Sequence, residues 1–316
     1  MNAHLSRWGW VLGLALGVLP VLVWGLVPGW QSLPPGQQAL SLGEQAALVL
    51  AVYGFKPVYM LLSLGILFLI WSERGPAWLA LQASMGAFLL GEFFCWINIL
   101  FFVEEILVLE YLHSLLMVFC LGFLYYSIME VVDKELLHFS DPHSRCALAN
   151  VCKGCVKARP GACLLRRLFQ WMIPLAAVVA FMPLMAQPLN ISFETLVFGM
   201  PRALIHLMPI QWYELRFSPI AALALMAGAW LALGWRGGTP RGLQISKILL
   251  SAAIGHLGFA LMRLAFAAFY REALVWFIFW EELTELLLVL GVLVMVLLIH
   301  PARFTRLRTA INKLVT

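Results

Sequence analysis

The sequence predicts an all-α, polytopic membrane protein of about eight transmembrane helices, arranged as two tandem four-helix repeats of parallel topology. Two observations carry the class. Of 316 residues, 63% are hydrophobic and only 12% charged, and the mean hydropathy is +0.91. Soluble domains are about one quarter charged, so a soluble enzyme is excluded. The apolar runs are also long and continuous, whereas a transmembrane β-barrel would show short alternating segments. With roughly 20 residues needed per span, no large soluble domain fits.

The expected spans are 8–27, 54–72, 79–103, 106–131, 170–187, 217–235, 247–269 and 276–299. The first lacks a small-residue cleavage site and runs into Pro28-Gly29-Trp30, so it reads as a retained span rather than a removed signal. Phe55-Lys56-Pro57 opens the second and Trp71 closes it; Phe217-Ser218-Pro219 opens the sixth and Trp235 closes it. Trp8 and Pro20 in the first match Trp171 and Pro183 in the fifth, and Gly91 in the third matches Gly255 in the seventh. The offset stays at 162 to 164 residues. Four spans per half is an even number, so the repeats would be parallel, related by an axis along the membrane normal. Ahead of each Phe-x-Pro, short surface helices are expected at 41–52 and about 199–215. Ser41-Leu-Gly-Glu44 has the capping-box spacing. The organisation is then a first membrane repeat (1–131), a basic Cys-rich loop (132–169) and a second repeat with a short tail (170–316).

Lys and Arg set the orientation. Arg7, Arg74, the loop 132–169, Arg236, Arg241, Lys247 and the tail residues Arg303, Arg306, Arg308 and Lys313 fall on one side. Only Lys56, Arg202, Arg216 and Arg271 fall on the other, and Arg263 lies inside a span. Both termini are therefore expected in the cytoplasm, in the cytoplasmic (inner) membrane. This asymmetry accounts for the net charge of +5, so nucleic acid is not an expected partner; the lipid bilayer is. Trp8, Trp10, Trp24, Trp30, Trp71, Trp78 and Trp235 near span ends fit an interfacial aromatic belt.

Ionisable groups inside a membrane are costly and default to a functional reading. Glu92 lies within the third span, with His256 at the matching place in the second half. Glu110 and His113 stand three apart in the fourth span, and Glu282 and Glu285 three apart in the eighth, so each pair shares a helix face. At about 1.5 Å rise per residue, His113 lies roughly 12 Å and Glu92 roughly 16 Å below the outer interface. Glu92, Glu110, His113, His256, Glu282 and Glu285 are therefore expected to form a cofactor or proton site. Carboxylates with imidazoles suit iron, manganese or zinc. A ferritin-like di-iron centre needs Glu-x-x-His twice, and the second copy here reads Glu-x-x-Glu. A proton relay, a quinone head-group site, or a haem held by His113 and His256 are the other chemical readings. Helix-to-helix glue, with Arg263 as a counter-ion, is the purely structural one.

Four of the six Cys crowd into one stretch, Cys146, Cys152, Cys155 and Cys163, whereas Cys95 and Cys120 stand singly in spans and read as small packing groups. Disulfides are rare in the cytoplasm, so the four read as a metal site: an iron–sulfur cluster, with zinc as the alternative. Only one Cys-x-x-Cys is present, which is irregular for a zinc ribbon and for the familiar ferredoxin run alike. No phosphate-binding Gly-rich loop, Ser nucleophile elbow or His-Glu-x-x-His occurs.

The leading expectation is a membrane redox protein. Its cytoplasmic Cys₄ iron–sulfur centre would exchange electrons with a quinone, haem or non-haem metal in the bundle, and a redox or assembly partner subunit would complete it. The alternatives are a divalent-metal or proton-coupled transporter with a metal-binding loop, and a non-catalytic assembly or anchor subunit.

Overall fold

A computed structural model describes residues 40–101, 106–137, 164–188, 191–197, 200–236 and 240–299. The expected first span, the Cys-rich stretch 146–163 and the C-terminal tail lie outside the described residues. Six helices among the described residues are long and apolar enough to cross a membrane, each 24 to 29 residues over its apolar part. The protein is an integral membrane protein by this measure. Large apolar side chains point outward along these helices, Phe68 at 72% and Leu61 at 68% exposure. In water such a surface would drive aggregation; against lipid tails it costs nothing.

Helix α1 (Leu42–Ile70) merges two expected elements, the surface helix at 41–52 and the second span. Its start is a complete capping box: Ser41 Oγ accepts from the Glu44 N–H, and the Ser41 N–H donates to the Glu44 carboxylate at 2.8 Å. The continuation passes through a π turn, Leu50–Phe55. Pro57 lacks an N–H and its ring crowds the carbonyl four residues back, so the wider turn accommodates it without breaking the helix. After α1, Gly75 adopts φ +111°, a left-handed conformation that Gly takes without strain, and the chain reverses into α2 (Pro76–Phe101). Gln82 Nε2 donates to the Ile70 carbonyl at 2.7 Å and to that of Glu73 at 3.2 Å, satisfying acceptors at the end of α1. Helix α3 (Leu107–Val131) follows and ends in a second π turn, Val132–Leu137.

Helix α4 (Leu164–Ala180) is where the fifth span was expected. It contains Pro174, stops at Ala180 and gives way to a 3₁₀ turn at Pro183–Met185. Its apolar part, Trp171–Met185, is shorter than the six long spans. A two-stranded sheet follows, β1 (Ile191–Val197) and β2 (Met200–His206). The short helix expected from about 199 therefore starts only at Met208, after a strand. Pro201 sits in β2 because both strands of such a sheet are edges. Helix α5 runs from Met208–Trp212 through a π turn, Tyr213–Phe217, into Ser218–Arg236. Pro219 follows this turn as Pro57 follows the first. Helices α6 (Pro240–Glu272) and α7 (Leu274–Ile299) complete the fold.

The chain divides into two compact units. One holds 1–69, 191–205 and 268–316; the other holds 70–190 and 206–267. In the first, α7 packs on the opening turns of α1, with Phe55 against Phe279 at 5.7 Å between ring centres. In the second, α2 lies along α3, and α4, α5 and α6 share a core of Ile173, Ala180, Ala222, Met226, Leu250 and Leu257.

Candidate functional site

In the first unit, the turn after the π bulge of α1 carries Lys56 and Tyr59, and α7 presents Glu282 and Glu285 to them. All four are at most 3% exposed. Lys56 Nζ lies 2.9 Å from Glu282 Oε1 and donates to the Tyr59 oxygen at 2.8 Å. The Tyr59 oxygen lies 2.5 Å from Glu282 Oε2 and 3.0 Å from Glu285 Oε2. A phenol has one proton to give. If Tyr59 donates to Glu282, Glu285 completes the second bond by carrying its own proton and donating to the phenol oxygen. Within this set one ammonium faces two carboxyl groups, and an uncompensated buried charge is heavily penalised. The geometry is that of a set able to hold Lys56⁺, Glu282⁻ and a protonated Glu285.

In the second unit, Glu92 on α2 is fully buried and lies 3.0 Å from His113 Nε2 on α3. Cys95, one turn along α2, completes a trio whose ligand atoms all lie within 4.8 Å of one another. Glu110 has a different setting. Asn98 donates to Glu110 Oε1 at 2.7 Å and accepts the Ile106 N–H at 2.9 Å. Asn98 thereby ties the end of α2 to the first turn of α3, where an acidic residue also suits the helix dipole.

Farther along this unit, Glu214 sits in the π turn of α5, fully buried, with Arg263 Nε at 3.0 Å and His206 Nε2 at 3.3 Å. The Arg263 guanidinium also lies over the Phe259 ring at 5.2 Å. His256 pairs with Ser218, whose Oγ is 3.0 Å from His256 Nδ1 and 3.1 Å from the His256 carbonyl. His256 lines an apolar cavity of about 500 Å³ bounded by α2, α3 and α6, in which Tyr126 and Ser251 are the other polar residues. At the opposite end of α6, Lys247 bonds Glu130 at 3.0 Å and also Asp133, all three buried.

Each of the six residues singled out in the spans has a polar neighbour. Glu92 meets His113, and Glu282 and Glu285 meet at Tyr59. Glu110 is engaged by Asn98 and His256 by Ser218. Cys146, Cys152, Cys155 and Cys163 lie outside the described residues. Three charges taken from sequence as flanking are engaged by the protein, two of them buried and Arg216 half-buried. Lys56 (1% exposed) and Lys247 (6%) are ion-paired within the protein, and Arg216 donates to the carbonyls of Pro183 and Ala186, holding the end of α4 to α5. Tyr59, Asn98, Glu214, Glu130 and Asp133 carried no expectation. Glu130 and Asp133 share a face by their spacing of three, and Glu214 precedes the Phe-x-Pro by a single turn, which are the signals that pointed to them. Tyr59 and Asn98 had none.

The class these sites define is an α-helical integral membrane protein whose bundle encloses several compensated sets of ionisable side chains. Comparison with family models, with curated proteins and with solved structures finds no match for the chain.

Proposed function

We propose that this chain is a proton-handling transport protein of the cytoplasmic membrane, with its termini in the cytoplasm, that couples proton movement through its helix bundle to a divalent metal or another solute. The observation that carries the reading is the Lys56–Tyr59–Glu282–Glu285 set: a shared phenol links two buried carboxyl groups beside a single ammonium, and on this reading Glu285 holds a proton. That proton can pass along existing hydrogen bonds without a net charge appearing in a dry interior. The Lys247–Glu130–Asp133 set differs in having a second cation, Lys134, 3.9 Å from Glu130.

The test is proton flux in proteoliposomes under an imposed pH gradient, with and without Mn²⁺, Fe²⁺ or Zn²⁺ outside. Wild-type protein should move protons faster than empty vesicles. Glu285→Gln, which copies the neutral form but cannot release its proton, should abolish the flux while eluting normally in detergent. Wild-type vesicles no faster than empty ones under every condition would remove the reading.

The crowding of Cys146, Cys152, Cys155 and Cys163 favours a second reading, a redox protein with a cytoplasmic iron–sulfur centre whose electrons reach a quinone, haem or metal and whose protons use the bundle. Anaerobic purification with metal and acid-labile sulfide analysis and electron paramagnetic resonance tests it. Iron and sulfide lost in Cys152→Ser/Cys155→Ser would select this reading, and zinc or no metal would reject it.

A further inference from the structure

We propose that Glu92, Cys95 and His113 form a binding site for a divalent transition metal of the zinc type. None of Lys56, Tyr59, Glu282, Glu285 and the four loop cysteines is among its ligands.

Geometry comes first. Glu92 and Cys95 are three apart on α2 and so share a face, while His113 approaches from α3. Gly91 makes the approach possible: a Cβ there would meet Leu116 Cβ at 3.2 Å and the His113 carbonyl oxygen at 3.5 Å. A tetrahedral ion with zinc-like bond lengths separates carboxylate, imidazole and thiolate donors by about 3.4 to 3.6 Å. Here the three ligand atoms all lie within 4.8 Å, with Glu92 Oε1 and His113 Nε2 at 3.0 Å. Shifts of several tenths of an ångström to about an ångström, within reach of side-chain rotation, close the set around an ion.

Charge comes second. A Glu92 carboxylate, a Cys95 thiolate and a neutral His113 imidazole supply two negative charges, which a divalent cation cancels. Binding therefore leaves no net charge among three groups of which Glu92 is 0% and His113 3% exposed.

Donor chemistry comes third. A thiolate and an imidazole select against magnesium and calcium, which take oxygen ligands, and toward zinc, cobalt or ferrous iron. Three protein ligands leave one position for water or an exchanging ligand.

The experiment uses the full chain with Cys146, Cys152, Cys155 and Cys163 replaced by Ser, so that only this site and Cys120 offer thiols. Titration with Co²⁺ in detergent is followed by absorption. One equivalent should develop a thiolate-to-cobalt charge-transfer band, removed by competing Zn²⁺. Cys95→Ser should abolish that band. Glu92→Gln and His113→Ala should each raise the half-saturating Co²⁺ concentration by more than about tenfold, the lower end of what losing even an outer-shell partner costs. No band at one equivalent, or a band that survives in Cys95→Ser, would overturn the site. A second readout needs no substitution at the three positions. Alkylation of Cys95 by iodoacetamide, located by mass spectrometry, should be slowed by Zn²⁺ and not by Mg²⁺; equal rates with and without Zn²⁺ would overturn it as well.

Discussion

Tyr59 has one proton and three neighbours, Lys56, Glu282 and Glu285, and this imbalance assigns different roles to two carboxyl groups one helical turn apart. Glu282 is the counter-ion of Lys56 at 2.9 Å. Glu282→Gln would leave the buried Lys56 ammonium without its paired carboxylate, and breaking a buried pair in this way costs about 3–5 kcal/mol. On the proton-handling reading Glu285 is the neutral acid, so Glu285→Gln keeps both charge and shape and should cost no more than about 1 kcal/mol, the net worth of one hydrogen bond. Thermal unfolding in detergent should therefore rank wild type close to Glu285→Gln and well above Glu282→Gln. Equal losses in the two variants would refute the assignment. The proton itself is visible in the infrared: wild type should show a carboxylic-acid C=O stretch that Glu285→Gln removes and Tyr59→Phe shifts. Sequence held half of this site. The spacing of Glu282 and Glu285 was legible because one helix contains it. Lys56 was read as an outer-face charge because its carboxylate partner Glu282 lies more than two hundred positions away on α7, and no local pattern records such a pairing.

At the level of elements, apolar run length located the long helices, but it could not tell a boundary from a bulge. The break expected near 52 is a π turn inside one continuous helix, and the same local structure precedes Ser218-Pro219. The Pro was legible; the answer of the backbone to it was not, because widening a turn and ending a helix both satisfy a missing N–H. The strand β2 escaped for a related reason. A stretch of seven residues between polar punctuation carries too little periodicity to separate helix from strand. Helix packing depends on a glycine that the sequence did mark. A Cβ at Gly255 would lie 2.4 Å from the Val118 carbonyl oxygen and 2.9 Å from the Gly122 Cα, so α3 and α6 touch backbone to backbone. Gly255→Ala should destabilise by about 1–3 kcal/mol or more, as overpacking does, because backbone atoms cannot rotate aside. Gly258, one turn away on α6, would meet only Leu121 Cδ1 at 3.6 Å. Gly258→Ala should be neutral or gain up to about 1 kcal/mol from helix propensity. Similar melting temperatures for the two variants would show that the close crossing is absent in the membrane-extracted protein.

For the whole molecule, composition decides the solvent and side-chain charge decides the direction, and the two inferences differ in how much the interior can disturb them. Class is robust: six long apolar helices follow from runs that a few misplaced charges do not interrupt. Orientation rests on fewer charges than the sequence offers, since Lys56 and Lys247 are buried in ion pairs and half-buried Arg216 bonds backbone carbonyls. Removing all three leaves the bias intact. One side still holds Arg74, Arg236, Arg241 and the basic stretch 132–169, and the other only Arg202 and Arg271. The positive-inside rule weights short loops near span ends, so the loop between α1 and α2 should face the cytoplasm and the segment after α4 the opposite side. In a variant lacking the six native Cys, Ser72→Cys should react with a membrane-impermeant maleimide only after the cells are opened, and Gln187→Cys should react in intact cells. Labelling of Ser72→Cys from outside would invert the protein. It would also move the four loop cysteines out of the reducing compartment, where disulfides rather than metal become their expected state. The redox reading of that loop therefore stands on the same measurement as the topology, whereas the Glu92–Cys95–His113 and Lys56–Tyr59–Glu282–Glu285 sets keep their chemistry whichever way the chain is threaded.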